Sequence, residues 1–324
     1  MAEKYYWEAI RDAIREEMIR DPSVFVMGED VGVYGGAYGA TRGLIEEFGE
    51  DRVRDTPISE AVIAGAAAGA AMCGMRPIAE IMYIDFSTIA MDQLVNIAAK
   101  NRYMFGGKTT VPMVLRTEGG AGRSIAAHHS QSLEAWFLHP PGLFVVMPAT
   151  PYDAKGLLKT CIRDPNPVIF IEHKMLYNTK GEVPDGEYLI PLGKADIKRA
   201  GKDLTIVTYS RMVLNSLQAA KEAEKDGIDC EVIDLRCLRP LDILAVFESV
   251  KKTGRLLLVS EAYQNCNFVN EIGMRVMEHC FDYLDAPILR VCGADVPIPM
   301  SPTLEEEATP SPKRILAGIR EAMK

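Results

Sequence analysis

The sequence predicts an α/β fold of two domains, each a mostly parallel sheet flanked by helices. Three observations predict it. Short β-branched runs alternate with longer helical patterns, the runs are almost continuously apolar, and the alternation lapses near residues 174–203 before restarting. Apolar strands separated by helices are what a parallel sheet covered on both faces requires. At 324 residues the chain exceeds what one hydrophobic core usually serves, and 48% hydrophobic residues supply two.

The elements follow in order. "MAEKYYWEAIRDAIREEMIRD" alternates charged and apolar residues at helical spacing and predicts an amphipathic first helix. Strands are expected at 23–28, 76–82, 110–116, 143–148 and 166–173, with a small-residue helix over 62–75 and further helices at 87–102 and 152–163. From 174 to 203 the chain gathers Gly, Pro and charge, which marks a linker that can wrap the surface. The first domain is therefore placed at 1–185, the linker at 186–203 and the second domain at 204–324. Strands resume at 204–210, 229–235, 255–261 and 286–292. In the last helix Ser311 is a natural N-cap, and Pro312 fits the first turn, where its missing N–H costs nothing.

Composition narrows the function classes. A formal charge of −9, and no basic run longer than Lys251–Lys252, give a phosphate backbone little to hold, so nucleic acid is not expected as a partner. The N-terminus has no basic-then-apolar signal region, and no strongly apolar run reaches the length of about eighteen residues that a membrane span needs. The seven cysteines form no C-x-x-C pair and sit mostly in apolar segments, which suits reduced core thiols in a cytoplasmic protein; Cys266, in "YQNCNF", is the one expected to be exposed.

Candidate chemistry begins at Glu60, at the head of "SEAVIAGAAAGAAMCG". One reading is a capping-region acid on a helix packed into a crowded core. The other is an acid/base group: Ile58, Ala61, Val62 and Ile63 would desolvate the carboxyl and raise its pKa. "GGAGRSIAAHHSQS" (119–132) is a Gly-rich loop after a strand, where α/β sites are built, although His128 and His129 can equally be plain loop residues. Met82 and Phe86, at the end of the strand in "RPIAEIMYIDF", are either core or a bed for a flat heteroaromatic ligand. "GEDVGVYGGAYG" lacks G-x-G-x-x-G running into a helix, so a dinucleotide fold is rejected.

Together, "MGEDVGVYGGAYGATRGL", "DTPISEAVIAGAAAGAAMCGMRPIAEIMYIDF", "HHSQSLEAWFLHPPGLFVVMP", "DAKGLLKTCIRDPNPVIF" and "GADVPIPMSP" resemble the β subunit of thiamine-diphosphate-dependent 2-oxo acid dehydrogenases, in order and over essentially the whole chain. The resemblance implies a pyrimidine-binding domain followed by a transketolase-type C-terminal domain. It makes Glu60 the carboxyl that hydrogen-bonds the pyrimidine ring nitrogen of thiamine diphosphate, Phe86 the aromatic stacked on that ring, Met82 a pocket wall and Glu29 an acid near the ring. It makes His129 the histidine that assists reductive acyl transfer to a lipoyl group, with His128 standing where relatives usually have Gln. It also implies a potassium ion held by backbone carbonyls of Met113, Cys161, Ile162, Asp164 and Asn166.

No "GDG" occurs, and the family binds Mg²⁺ and the diphosphate through that motif, so half the cofactor site is expected from an α subunit in an α2β2 heterotetramer. A lipoyl-bearing dihydrolipoamide acyltransferase is expected to dock mainly on the C-terminal domain. Pyruvate or acetoin is preferred as substrate over branched-chain 2-oxo acids. The competing readings are a β-like scaffold without chemistry and a self-contained nucleotide-binding oxidoreductase. Gly65 and Gly69 are expected to mark a subunit contact.

Overall fold

A computed structural model describes residues 1–324. The chain forms two units, Met1–Gly119 with Trp136–Leu192, and Gly120–Ala135 with Gly193–Lys324. The segment 120–135, kept in the first domain by the sequence reading, thus groups with the second unit. Carboxylates from residues 261 and 305 accept hydrogen bonds from its backbone and hold it there.

The first unit runs β1 (Ala2–Tyr5), α1 (Tyr6–Arg20), β2 (Val24–Gly28), α2 (Leu44–Phe48), β3 (Val53–Asp55), α3 (Glu60–Met72), β4 (Arg76–Tyr83), α4 (Ala99–Met104) and β5 (Val114–Gly119). After a short helix α5 (Glu134–Leu138) come β6 (Phe144–Val146), α6 (Pro151–Arg163), β7 (Val168–His173) and β8 (Lys180–Val183). Its central strands lie in the order β6-β7-β5-β4-β2-β3, all parallel. The order reverses beside β2: the chain passes from β2 to β3 on one side, then returns to β4 on the other. Ligands of open parallel sheets bind at the carboxyl ends of strands beside such a switch.

Three expectations shift for identifiable reasons. The helix expected over 87–102 is instead a 3-10 turn at Ile84–Ala90, a π turn at Asp92–Ala98 and then α4. Ser87 Oγ and Thr88 Oγ1 take the carbonyls of Ile84 and Asp85 three residues back, tightening the chain where an α-helix would continue. The strand expected at 110–116 starts only at Val114, because Pro112 has no N–H to place in a central ladder. The supposed wrapping stretch supplies β8, which pairs antiparallel with β1, a strand the charge alternation at the N-terminus concealed.

In the second unit, β9 (Asp196–Arg199), β10 (Leu204–Thr208), α7 (Met212–Ala223), β11 (Cys230–Asp234), β12 (Cys237–Arg239), α8 (Ile243–Thr253) and β13 (Leu256–Tyr263) precede α9 (Phe268–Cys280), β14 (Leu289–Gly293), α10 (Pro302–Ala308) and α11 (Pro312–Ala322). The sheet order is β14-β13-β10-β11-β9, parallel except for β9, which lies inside the expected linker. Its core joins Leu204, Ile206, Val232, Leu257 and Val259 to Ile315 and Ile319 of α11. That helix is capped as its sequence predicts, Ser311 Oγ accepting from Arg314 N at 3.3 Å. No helix is long and apolar enough to cross a membrane. All seven cysteines are free; Cys73, at the end of α3, is exposed as well as Cys266.

Candidate functional site

In the first unit, four of the sequence-predicted residues gather at the carboxyl edge of the sheet, around the switch point. Glu29 follows β2, Met82 and Phe86 lie at and beyond the end of β4, and Glu60 opens α3 after the neighbouring β3. The bulge that shifts the β4–β5 register between Ile81 and Tyr83 falls on Met82, and bulges of this kind re-aim a side chain. Phe86 meets Tyr83 edge to face at 6.1 Å. Gly28 lets the strands close up here: a Cβ at this position would sit 2.6 Å from the Glu80 carbonyl oxygen.

Glu60, the first residue of α3, is 7% exposed. Glu29 Oε1 and Thr56 Oγ1 are buried without a hydrogen-bond partner. Polar groups placed this way are costly unless something else satisfies them. Burial first, then the charges of Glu60, Asp30 and Glu80, hold the Glu29 carboxyl above the ordinary carboxylate range. Such a group favours folding while protonated and opposes it once ionised, so stability is lost as pH rises through its raised pKa. Glu29→Gln removes that loss. In thermal melts of the unliganded protein the variant should melt above the parent at about pH 8, and the gap should close by about pH 4.

Beneath this edge lies a charged network that sequence reading missed. Arg116 on β5, 2% exposed, donates from Nε and Nη2 to both oxygens of Glu172 on β7 at 2.7 and 2.8 Å, and from Nη1 to Glu80 on β4 at 2.5 Å. Tyr177 Oη donates to Glu172 at 2.6 Å and Tyr38 Oη to Glu118 at 2.7 Å, while Lys174 Nζ lies 3.9 Å from Glu118 and 5.1 Å from the centre of the Tyr83 ring. Burial alone would lower the Arg116 pKa; the charges of Glu172 and Glu80 outweigh it and raise it. The available signal was a charged residue inside otherwise apolar strands, in "RPIAEIM" and "NPVIFIEH".

Four of the five carbonyls expected to hold potassium accept hydrogen bonds within the chain. Those of Ile162 and Asp164 accept from Arg76 Nη1 at 2.8 and 3.1 Å, that of Cys161 from Asp164 N, and that of Met113 from Val168 N. Asn166 is tied by its own amide to Asp164 Oδ1 at 2.8 Å. Carbonyl oxygens suit an alkali cation and keep a second lone pair, but a guanidinium already brings positive charge to two of the five.

The histidines belong to the second unit. His128, exposed, and His129, partly buried, lie on a single 3-10 turn with ring centroids 4.6 Å apart. The chain approaches them through Ser124 at φ +55° and Ala126 at φ +66°, ψ −171°. Alanine almost never adopts the latter, at a cost of about 1–3 kcal/mol. Nearby, Glu134 is 1% exposed and accepts from Tyr209 Oη at 2.7 Å; burial holds its carboxyl above the ordinary range, against the lowering effect of that bond.

On α3, Gly69 faces open space, whereas Gly65 abuts the Gln93 side chain, so only Gly69 presents a bare backbone outward.

Comparison with known proteins gives a consistent pattern. Residues 3–180 match the family model "Transketolase, pyrimidine binding domain" and residues 193–315 match "Transketolase, C-terminal domain". The chain is 52% identical to the acetoin:2,6-dichlorophenolindophenol oxidoreductase subunit beta of Cupriavidus necator, over 98% of this chain and 96% of that one. It is 51% identical to the pyruvate dehydrogenase E1 component subunit beta of Rhizobium meliloti (97% and 68% covered) and 50% identical to the 2-oxoisovalerate dehydrogenase subunit beta of Bacillus subtilis (98% and 97% covered). Among solved structures, a split-gene transketolase described as an inactive beta4 tetramer superposes with a TM-score of 0.79 at 22% identity, covering 98% of this chain and 97% of its own, a likeness of fold.

Proposed function

The chain belongs to the β-subunit family of the thiamine-diphosphate-dependent 2-oxo acid and acetoin dehydrogenases, and on that premise we propose that it is the catalytic β subunit of a heteromeric enzyme acting on pyruvate or acetoin ahead of branched-chain 2-oxo acids. One observation carries the reading: two carboxyls, the buried Glu60 and Glu29, whose Oε1 is buried without a hydrogen-bond partner, stand together at the switch point of a parallel sheet.

The residues present fit the aminopyrimidine end of thiamine diphosphate. Glu29 offers an unsatisfied buried oxygen and Glu60 a buried carboxyl to ring and amino nitrogens, Phe86 offers a ring face and Met82 a polarisable wall. When bound, that cofactor supplies the nucleophilic carbon and the electron sink that cleavage beside a carbonyl needs. Glu60, at the first turn of α3, would hold a proton at the ring nitrogen and take it back. Glu29, its carboxyl pKa raised by burial and then by the charge of Glu60, takes up a proton more readily than an ordinary carboxylate, which limits the negative charge in the cluster.

His129, with His128 beside it, is the imidazole we assign to reductive transfer of the acyl group to a lipoyl group of a dihydrolipoamide acyltransferase. The missing "GDG" supports an α subunit supplying Mg²⁺ and the diphosphate site in an α2β2 enzyme. Seven free cysteines support a reducing, cytoplasmic setting. Potassium at the Ile162–Asn166 carbonyls is carried as part of the same proposal, sharing its oxygens with Arg76.

The substrate order rests on "RYMFGGK" and "IEHKMLYNTKGEVP", which are most like acetoin-cleaving relatives, and on "GADVPIPMSP", which is closer to the pyruvate and branched-chain ones. Co-expression with an α subunit and dye reduction with pyruvate, acetoin and 2-oxoisovalerate tests it. Pyruvate or acetoin should give the highest kcat/KM. A preference for 2-oxoisovalerate would overturn the order, and tight cofactor binding and turnover by this chain alone would overturn the heteromeric reading.

A further inference from the structure

We propose that Glu305 is a positioning residue for the histidine loop, fixing His129 by clamping the backbone that leads to it. Glu305, on α10, is 4% exposed. Its Oε1 accepts from Gly122 N at 2.8 Å, and its Oε2 from Ser124 N at 2.9 Å and Ser124 Oγ at 3.2 Å. Glu261 Oε1 accepts from Ala121 N at 2.6 Å, Arg211 Nη1 donates to the Ala121 carbonyl at 3.3 Å, and Gly120 N closes the base of the loop on the Gln131 carbonyl at 2.9 Å. Three amides between Ala121 and Ser124 therefore end on two carboxylates.

Charge-assisted bonds of this kind are the strong ones, and here they act on a strained backbone. Ser124 and Ala126 both have positive φ without being glycine. A chain left to itself relaxes out of such conformations, so something outside the loop must hold it; Glu305 does so at Ser124, and the histidine turn begins at Ala127. The bonds of Glu305 to the loop go to the amides of Gly122 and Ser124 and to Ser124 Oγ, so it acts on the imidazoles through the main chain. The inference rests on the role assigned above to His129.

The test uses the assembled α2β2 enzyme and two assays: dye reduction, which needs no lipoyl acceptor, and reductive acylation of a lipoylated domain. A misplacement of about 1 Å can cost up to about a hundredfold in rate. Glu305→Ala is expected to lower acyl transfer roughly tenfold or more with dye reduction within about twofold of the parent. Glu305→Gln, which keeps one accepting oxygen, should fall between. His129→Ala should lower transfer too, and adding Glu305→Ala to it should cost little more, since both act through one imidazole.

The clamp is overturned if His129→Ala impairs transfer while Glu305→Ala does not. It is also overturned if Glu305→Ala lowers both activities in step with the Tm, since that is a structural role alone. If His129→Ala leaves transfer intact, the role of His129 falls, and with it the route by which Glu305 acts.

Discussion

Glu60→Gln, assembled with its α subunit, should lose at least about a thousandfold in dye reduction with every substrate, because a positioned acid/base group contributes about 10²–10⁴ and this one begins the reaction. Gln fills the same volume at the head of α3, so assembly, measured by gel filtration with the α chain, should be unchanged. The pairing of results separates the two readings of the chain. A scaffold subunit would lose nothing, and retention of activity within about twofold would remove Glu60 from the chemistry. Loss of assembly would mean that the carboxyl has a structural part as well.

The largest effect on stability is expected from Arg116→Met. The guanidinium joins three neighbouring strands through Glu80 and Glu172, both almost fully buried. Removing one member of a buried ion network leaves charge without compensation, at about 3–5 kcal/mol. For a chain of this size that corresponds to a drop in Tm on the order of 10 °C. Adding Glu172→Gln to Arg116→Met takes away one stranded carboxylate and should recover part of the loss. A Tm unchanged by Arg116→Met, or a double variant worse than the single, would show that the network contributes no net pairing.

How much of this was legible in sequence depended on which contacts were local. Glu29, Glu60, Met82 and Phe86 were readable because each follows or precedes a strand with a clear apolar pattern, and parallel sheets collect such residues on one edge. The Ala/Gly run from Ala61 to Ala71 was readable as a helix that keeps side chains out of the way. Arg116, Glu172 and Glu80 were not, because pattern reading assigns a charge in a strand to its exposed face, and only the order β7-β5-β4 shows that all three meet inside. The turn at Ile84–Ala90 hid for the opposite reason: its hydroxyls resemble ordinary helix residues until they are seen bonding carbonyls three residues back. Glu305 lies 181 residues from Ser124, beyond any local signal.

That separation bears on how the protein is made. Chains emerge at roughly 5–20 residues per second, and domains generally fold as they appear. The first unit has its last strand, β8, once residue 183 has emerged, but the loop that interrupts it in sequence, 120–135, lacks its bonds to Glu305 until α10 is synthesised. For roughly 6–25 s the histidine turn is without that clamp while the strands that flank it in sequence can already pair. It is among the last parts of the protein to take shape, and a chain that stopped short of α10 would carry its histidines on a loop held at Ala121 but not at Ser124.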